Sequence, residues 1–160
     1  MTAQSFKSQK GFTLIELLVV IGILAILLAI TLIAINPAAQ FGRANDTKRR
    51  SDITQVLNAI GQLTAASGGI LPSEITGKTA GQAYTLDSTN FPSLCGQLVP
   101  DFIPALPVDP NGNDQGGVEE ADCNAATPNW NTQYELTRDA NNRITVSATG
   151  YDGSAITVTR

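Results

Sequence analysis

Histidine is absent from all 160 residues. That absence removes histidine-based acid–base catalysis, histidine-dependent nucleophile triads and the commonest zinc ligand together. Cysteine is scarce: Cys95 and Cys123 are the only two, and they lack the C-x-x-C spacing of a redox or metal motif. Charge is sparse as well, and a net charge of −4 gives no general support for nucleic acid as a partner. Neither a nucleophile beside a base nor a Gly-rich phosphate loop can be found, so the sequence predicts no enzyme.

What is present is unevenly distributed. Residues 17–35, "LLVVIGILAILLAITLIAI", carry no charge, whereas the last hundred residues are rich in Gly, Asn, Asp, Thr and Pro. As a helix, residues 17–35 span about 28 Å, close to the hydrocarbon core of a bilayer. A secretory signal has a shorter apolar core and a small-residue cleavage site after it, and neither fits here. Lys7 and Lys10 before the run favour an N-terminus left in the cytoplasm. Arg43, Lys48, Arg49 and Arg50 on the other side oppose that, so the count of basic residues alone leaves the orientation open.

Helical periodicity continues beyond the run. Ile53, Val56, Leu57, Ile60 and Leu63 form an amphipathic stripe, with Asp52, Gln55, Asn58 and Gln62 opposite it. Gly68-Gly69 supply a stop. The pattern predicts helix from about Phe12 to about Ala66. Asn36-Pro37 interrupts it with a kink or short unwound segment, because proline removes a hydrogen bond and disfavours helix at the preceding residue.

Residues 70–130 lack strong periodicity and read as extended pieces and tight turns, with a short strand at 83–86. The end of the chain is clearer. "QYELTRD", "RITVSATG" and "SAITVTR" alternate in polarity, with "ANN" and "YDG" as turns between them. This predicts a three-stranded antiparallel meander. One face would carry Tyr134, Leu136, Ile144, Val146, Ile156 and Val158. The helix stripe and this face each need an apolar partner, and packing one on the other satisfies both. The expected class is α+β: a long N-terminal helix, half membrane-spanning and half amphipathic, packed on a small C-terminal antiparallel sheet.

The two cysteines both follow the membrane run, so both are expected on the exported, oxidising side. A Cys95–Cys123 disulfide is the economical reading, and two unpaired small apolar residues are the alternative. A bridge would contribute roughly 3–4 kcal/mol in the chain-entropy model.

One carboxylate breaks the apolar pattern. Glu16 sits at the start of the run, where an acid at the bilayer centre would cost roughly 2.5–3.5 kcal/mol on insertion scales. The surrounding stretch "KGFTLIELLVV" closely resembles the processing site and helix start of type IV pilins and type II secretion pseudopilins. The resemblance rests on a short basic leader, Gly11, Phe12, Glu16 and an unbroken apolar helix, and covers about the first 65 residues. Beyond them only the layout is similar, with "GGILPSE" and "LVPDFIPALPVDP" placed like the loop of the major-pseudopilin type. The resemblance implies a type IV pilin-like fold, cleavage between Gly11 and Phe12 by a prepilin peptidase, and N-methylation of Phe12. It also implies assembly through the N-terminal helices, with Glu16 pairing the new Phe12 amino group of a neighbouring subunit. The family often has a proline where this chain has Ile33, and Pro37 follows four residues later, so the melted helix segment of the family is shifted or differs here.

On this basis residues 1–11 are a cleaved leader, 12–36 the transmembrane and assembly helix, 37–67 an amphipathic helix, and 68–160 an exported globular part. The implied partners are identical or homologous pilin subunits, the prepilin peptidase, an inner-membrane assembly platform and the membrane itself. The implied location is the cytoplasmic membrane, N-terminus in, and then a periplasmic or extracellular filament. A minor pilin at a filament tip, contacting a surface, DNA or a secreted substrate, is the alternative.

Two further motifs stay open. "RANDTKRRSD" is a solvated helix face, a set of inter-subunit salt links, or a patch for nucleic acid or anionic lipid. "DPNGNDQGGVEE" places Asp109, Asn111, Asn113 and Glu120 at positions 1, 3, 5 and 12 of a calcium-loop pattern. Asp114 stands where an EF-hand needs glycine. Major pseudopilins resembling this chain bind calcium near their sheet, so Asp109, Asn111, Asn113 and Asp114 are candidate ligands for calcium in a different loop. A polar turn with no ion is the alternative.

Overall fold

The computed structural model describes residues 11–112 and 116–160. It divides into two compact units, Met1–Gln40 and Phe41–Arg160, each considered by itself.

In the first unit, α1 runs from Leu14 to Ile35 and buries none of its residues. Its side chains are apolar all round, and leucines and isoleucines along its length are more than half exposed. A helix of this kind is a membrane span or the core of a larger assembly. It is the one helix among the described residues long and apolar enough to cross a bilayer. The helix begins two residues later than the sequence predicts, because Thr13 is its N-cap.

Asn36 ends α1 in the left-handed conformation, φ 46° and ψ 77°. Asparagine tolerates that region better than most residues. The next helix, α2, starts at Pro37 and ends at Ala66. Proline suits a first helical turn, where its missing N–H would have no partner anyway. The Asn36 carbonyl accepts the N–H groups of Ala39 and Gln40. The interruption is therefore one residue long. At the far end Gly68 and Gly69 adopt positive φ, and the Gly69 N–H returns to the Thr64 carbonyl at 2.8 Å. This is the stop that the glycine pair predicts.

In the second unit, α2 buries Ile53, Val56, Leu57 and Ile60. Burying such side chains stabilises by roughly 1.5–3 kcal/mol each. They join one core with Tyr134, Leu136, Val146 and Ile156 of an antiparallel sheet. The sheet has strands β1 (Ala83–Asp87), β2 (Asn131–Arg138), β3 (Ile144–Thr149) and β4 (Ala155–Thr159), in the order β1-β2-β3-β4. The register places Tyr84, Leu136, Val146 and Val158 across one row. All six predicted face residues point inward, five of them buried and Val158 partly so.

The sheet has four strands rather than three. Its extra member is the 83–86 run, which pairs with β2 across a long connection. Periodicity did not reveal three single-turn helices: α3 (Ser73–Thr76) ahead of β1, and α4 (Leu94–Leu98) and α5 (Glu120–Cys123) within that connection. A helix of one turn carries too few residues to show a period.

Candidate processing and assembly segment

Gly11, Phe12 and Thr13 precede α1 and are exposed and non-helical. Phe12 is 90% exposed. Both residues of the expected cleavage pair, Gly11 and Phe12, lie in this exposed stretch. The rest of the predicted leader, residues 1–10, lies outside the described residues.

Thr13 and Glu16 form a reciprocal capping box. The Glu16 N–H donates to Thr13 Oγ1 at 3.3 Å. In return Glu16 Oε2 accepts from the Thr13 N–H at 2.8 Å and from the Thr13 hydroxyl at 2.7 Å. Helix starts need such partners, because the first four N–H groups have none within the helix. Within one chain, then, Glu16 closes the head of α1 through Thr13, the residue that follows Phe12. Sequence reading singled out Glu16 and missed Thr13, although "TLIE" is a Thr-x-x-Glu capping signature.

The basic segment behaves differently from its reading as a solvated face. Arg49 is only 3% exposed. Its Nε donates to Asp109 Oδ2 at 2.6 Å, its Nη2 to Asp109 Oδ1 at 2.8 Å and its Nη1 to Asp46 at 2.9 Å. These hydrogen bonds to Asp109 raise the guanidinium above its already high value. Burial pushes the Asp109 carboxyl up, but Arg49 and the Asn111 N–H outweigh it and hold it below the ordinary carboxylate range. Asp52, predicted on the solvent side of α2, is buried instead. It accepts from Lys48 and from the Tyr134 hydroxyl, both at 2.8 Å. Burial, then the hydrogen bond to Asp52, push the Tyr134 phenol well up.

This geometry bears on the calcium reading. Both oxygens of Asp109, its first ligand, are held by a buried guanidinium. The Asn111 side-chain oxygen accepts from Asn45 at 3.3 Å. Glu120 opens α5, a helix too short and too late to complete an EF-hand. Asn113 and Asp114 lie outside the described residues. Among the described residues, no group of three or more Asp, Glu, Cys or His side chains could hold a metal ion.

Cys95 and Cys123 form a disulfide with Cα atoms 5.3 Å apart. It ties α4 to α5. Both cysteines are buried.

Residues 6–32 match the family model of the prokaryotic N-terminal methylation motif. No curated protein and no solved structure is found similar to the chain. The matched segment contains Gly11, Phe12, Thr13, Glu16 and most of α1. The match is to the N-terminal methylation motif alone, the segment of a class III prepilin signal, and an α+β unit in which a helix packs on an antiparallel sheet follows it in the chain.

Proposed function

We propose that the chain is a structural subunit of a type IV pilus or type II secretion pseudopilus, polymerised through α1. The observation that carries this reading is α1 itself: a methylation-motif helix, apolar on every side, with no buried residue. Such a surface is satisfied by lipid before assembly and by neighbouring copies of α1 afterwards. A prepilin peptidase would cut at Gly11–Phe12 and methylate Phe12. An inner-membrane platform would then lift the subunit from the bilayer, with residues 41–160 on the exported side.

Glu16 links the two environments. Its carboxylate caps its own helix, and it lies next to the site where cleavage creates a new ammonium group. In a filament the carboxylate of one copy can face the Phe12 amino group of another, so that neither charge is desolvated alone.

The test is to express the chain with and without a prepilin peptidase, shear the cells, and measure N-terminal masses. The expected result is a chain starting at methylated Phe12 in sheared filaments, and an intact, membrane-retained chain without the peptidase. A full-length N-terminus in the presence of active peptidase would overturn the reading.

A further inference from the structure

Among the described residues of the second unit, few large apolar side chains face solvent. Tyr151 does so while packing its ring on Gly42. Phe41 and Ile70 are each 72% exposed. Phe41 lies in the first turns of α2. Ile70 edges an open cleft of about 710 Å³ at the other end of the same helix. The cleft is lined by Leu57, Ile60, Leu71 and Ile144, with Thr64, Ser73, Thr76, Asn142 and Arg160 as its polar side chains and no acidic one. A cavity of about 150 Å³ already accepts a benzene ring. Its aliphatic part and the Arg160 side chain suit an aromatic guest, because a cation is attracted to the face of a ring.

We infer that Phe41 of one copy seats in this cleft of a second copy, as a repeating head-to-tail contact along the filament. The inference rests on the assembly reading above. Its geometry comes from a single helix. Phe41 and the cleft residues Leu57, Ile60 and Thr64 are 16–23 residues apart in α2, about 24–35 Å along its axis. At about 100° per residue they lie roughly 100–160° apart around it. Knob and hole thus sit at opposite ends and on different faces. Parallel copies displaced along the helix axis meet through different faces, so this arrangement fits them. A contact between two different patches of the same chain is heterologous, and it propagates into an open filament when the rotation does not close.

The size of the contact also restricts where it operates. One aromatic side chain buries about 150–250 Å², far below the roughly 1,200 Å² of a stable interface. It would not hold two free subunits together. It acts where α1 already places the copies side by side, and there it fixes their axial offset.

The experiment uses the full chain in sheared filaments. Ala44→Cys beside the knob and Ser73→Cys on the cleft are combined, and a short bismaleimide is added. The native cysteines are bridged and do not react. Because each copy offers both halves of the contact, the product should be a ladder of dimers, trimers and higher species. Either single variant should give no ladder. Phe41→Ala in the double-cysteine chain should reduce the ladder at least tenfold, and Phe41→Tyr should restore it. Dimers without higher species would overturn the inference. So would normal filaments with no crosslink, or a ladder indifferent to Phe41→Ala. Quenching of a Phe41→Trp fluorophore by brominated lipid, without crosslinks in filaments, would assign the knob to the bilayer surface instead and also overturn it. Absence of filaments from the wild-type chain would overturn the assembly reading, and this inference with it.

Discussion

Arg49 grips Asp109 with two parallel hydrogen bonds, Nε to Oδ2 at 2.6 Å and Nη2 to Oδ1 at 2.8 Å. The two residues are 60 positions apart, and both are nearly excluded from solvent. The Asp109 N–H in turn donates to the Thr132 carbonyl in β2 at 3.0 Å. One buried ion pair therefore fastens α2 to the loop that precedes α5, and that loop to the sheet. Tyr134 adds a second tie, from β2 to Asp52 on α2.

Arg49→Ala should destabilise the second unit by about 3–5 kcal/mol, the usual cost of leaving one partner of a buried pair alone. Arg49→Met with Asp109→Leu should cost less than either single substitution, since no buried charge is then left unpaired. Urea unfolding of the detergent-solubilised chain, followed by the fluorescence of its single tryptophan, buried Trp130, measures both. Equal stability of Arg49→Ala and wild type would remove the pair from the account.

The same pair predicts an acid limit. The folded Asp109 carboxyl lies below its ordinary value, held there against burial mainly by Arg49. Asp139 is also lowered, by its hydrogen bonds from Arg143. A depressed carboxylate contributes stability that is fully present above the unfolded pKa of about 3.9 and is lost as pH falls through the folded value. Unfolding midpoints should hold between pH 7 and 5, then drop toward pH 2, and Asp109→Asn should flatten the drop. Tyr134 works at the other end. Its raised phenol stabilises below about pH 10, and that contribution fades as pH rises further.

Gly42 predicts a packing effect. A methyl group there would overlap the Tyr151 ring, which lies directly on the helix backbone. The Tyr151 N–H also donates to Asp46 at 2.8 Å, so the β3–β4 turn is fastened to α2 twice. Gly42→Ala should cost about 1–3 kcal/mol through overpacking. Tyr151→Ala should relieve most of that cost in the double variant, a non-additivity that a mutant cycle can read. Strict additivity would mean that the ring and the glycine are not in contact.

The two long helices were legible because apolar residues repeat or run unbroken, and the last three strands because polarity alternates within each. The four-residue pattern at 83–86 suggested β1, but its partner lies some fifty residues away and local pattern cannot name it. Arg49 and Asp52 are buried, although a charged residue on a helix ordinarily marks the solvent side. Their positions told otherwise: Arg49 is four residues before Ile53 and seven before Val56, in line with the buried stripe. What no local pattern supplies is the counter-charge. Asp109 arrives from another part of the chain, and only the folded path shows that a suspected metal ligand is already occupied. Thr13 is the opposite case, a local Thr-x-x-Glu capping signature that the sequence itself displays.

Glu16 now has two candidate roles, and substitutions can separate them. As a cap, it needs only an acceptor for the Thr13 N–H, and glutamine supplies one. As the partner of a Phe12 ammonium on a neighbouring copy, it needs its charge. Glu16→Gln keeps the first and removes the second, Thr13→Ala weakens the first and keeps the second, and Glu16→Ala removes both. Membrane insertion should survive all three, because each leaves the apolar run intact or makes it less polar. Assembly should divide them. A filament repeats an unpaired, desolvated ammonium at every subunit, whereas a weakened cap only frays the first turn of α1, where water or a headgroup can take over the freed N–H. Glu16→Gln should therefore abolish sheared filaments as completely as Glu16→Ala, and Thr13→Ala should still form them. The measurement is the amount of processed subunit in the sheared fraction relative to the membrane fraction. Wild-type yield from Glu16→Gln, with loss in Thr13→Ala, would make the carboxylate a helix cap and leave the Phe12 amino group in need of another partner.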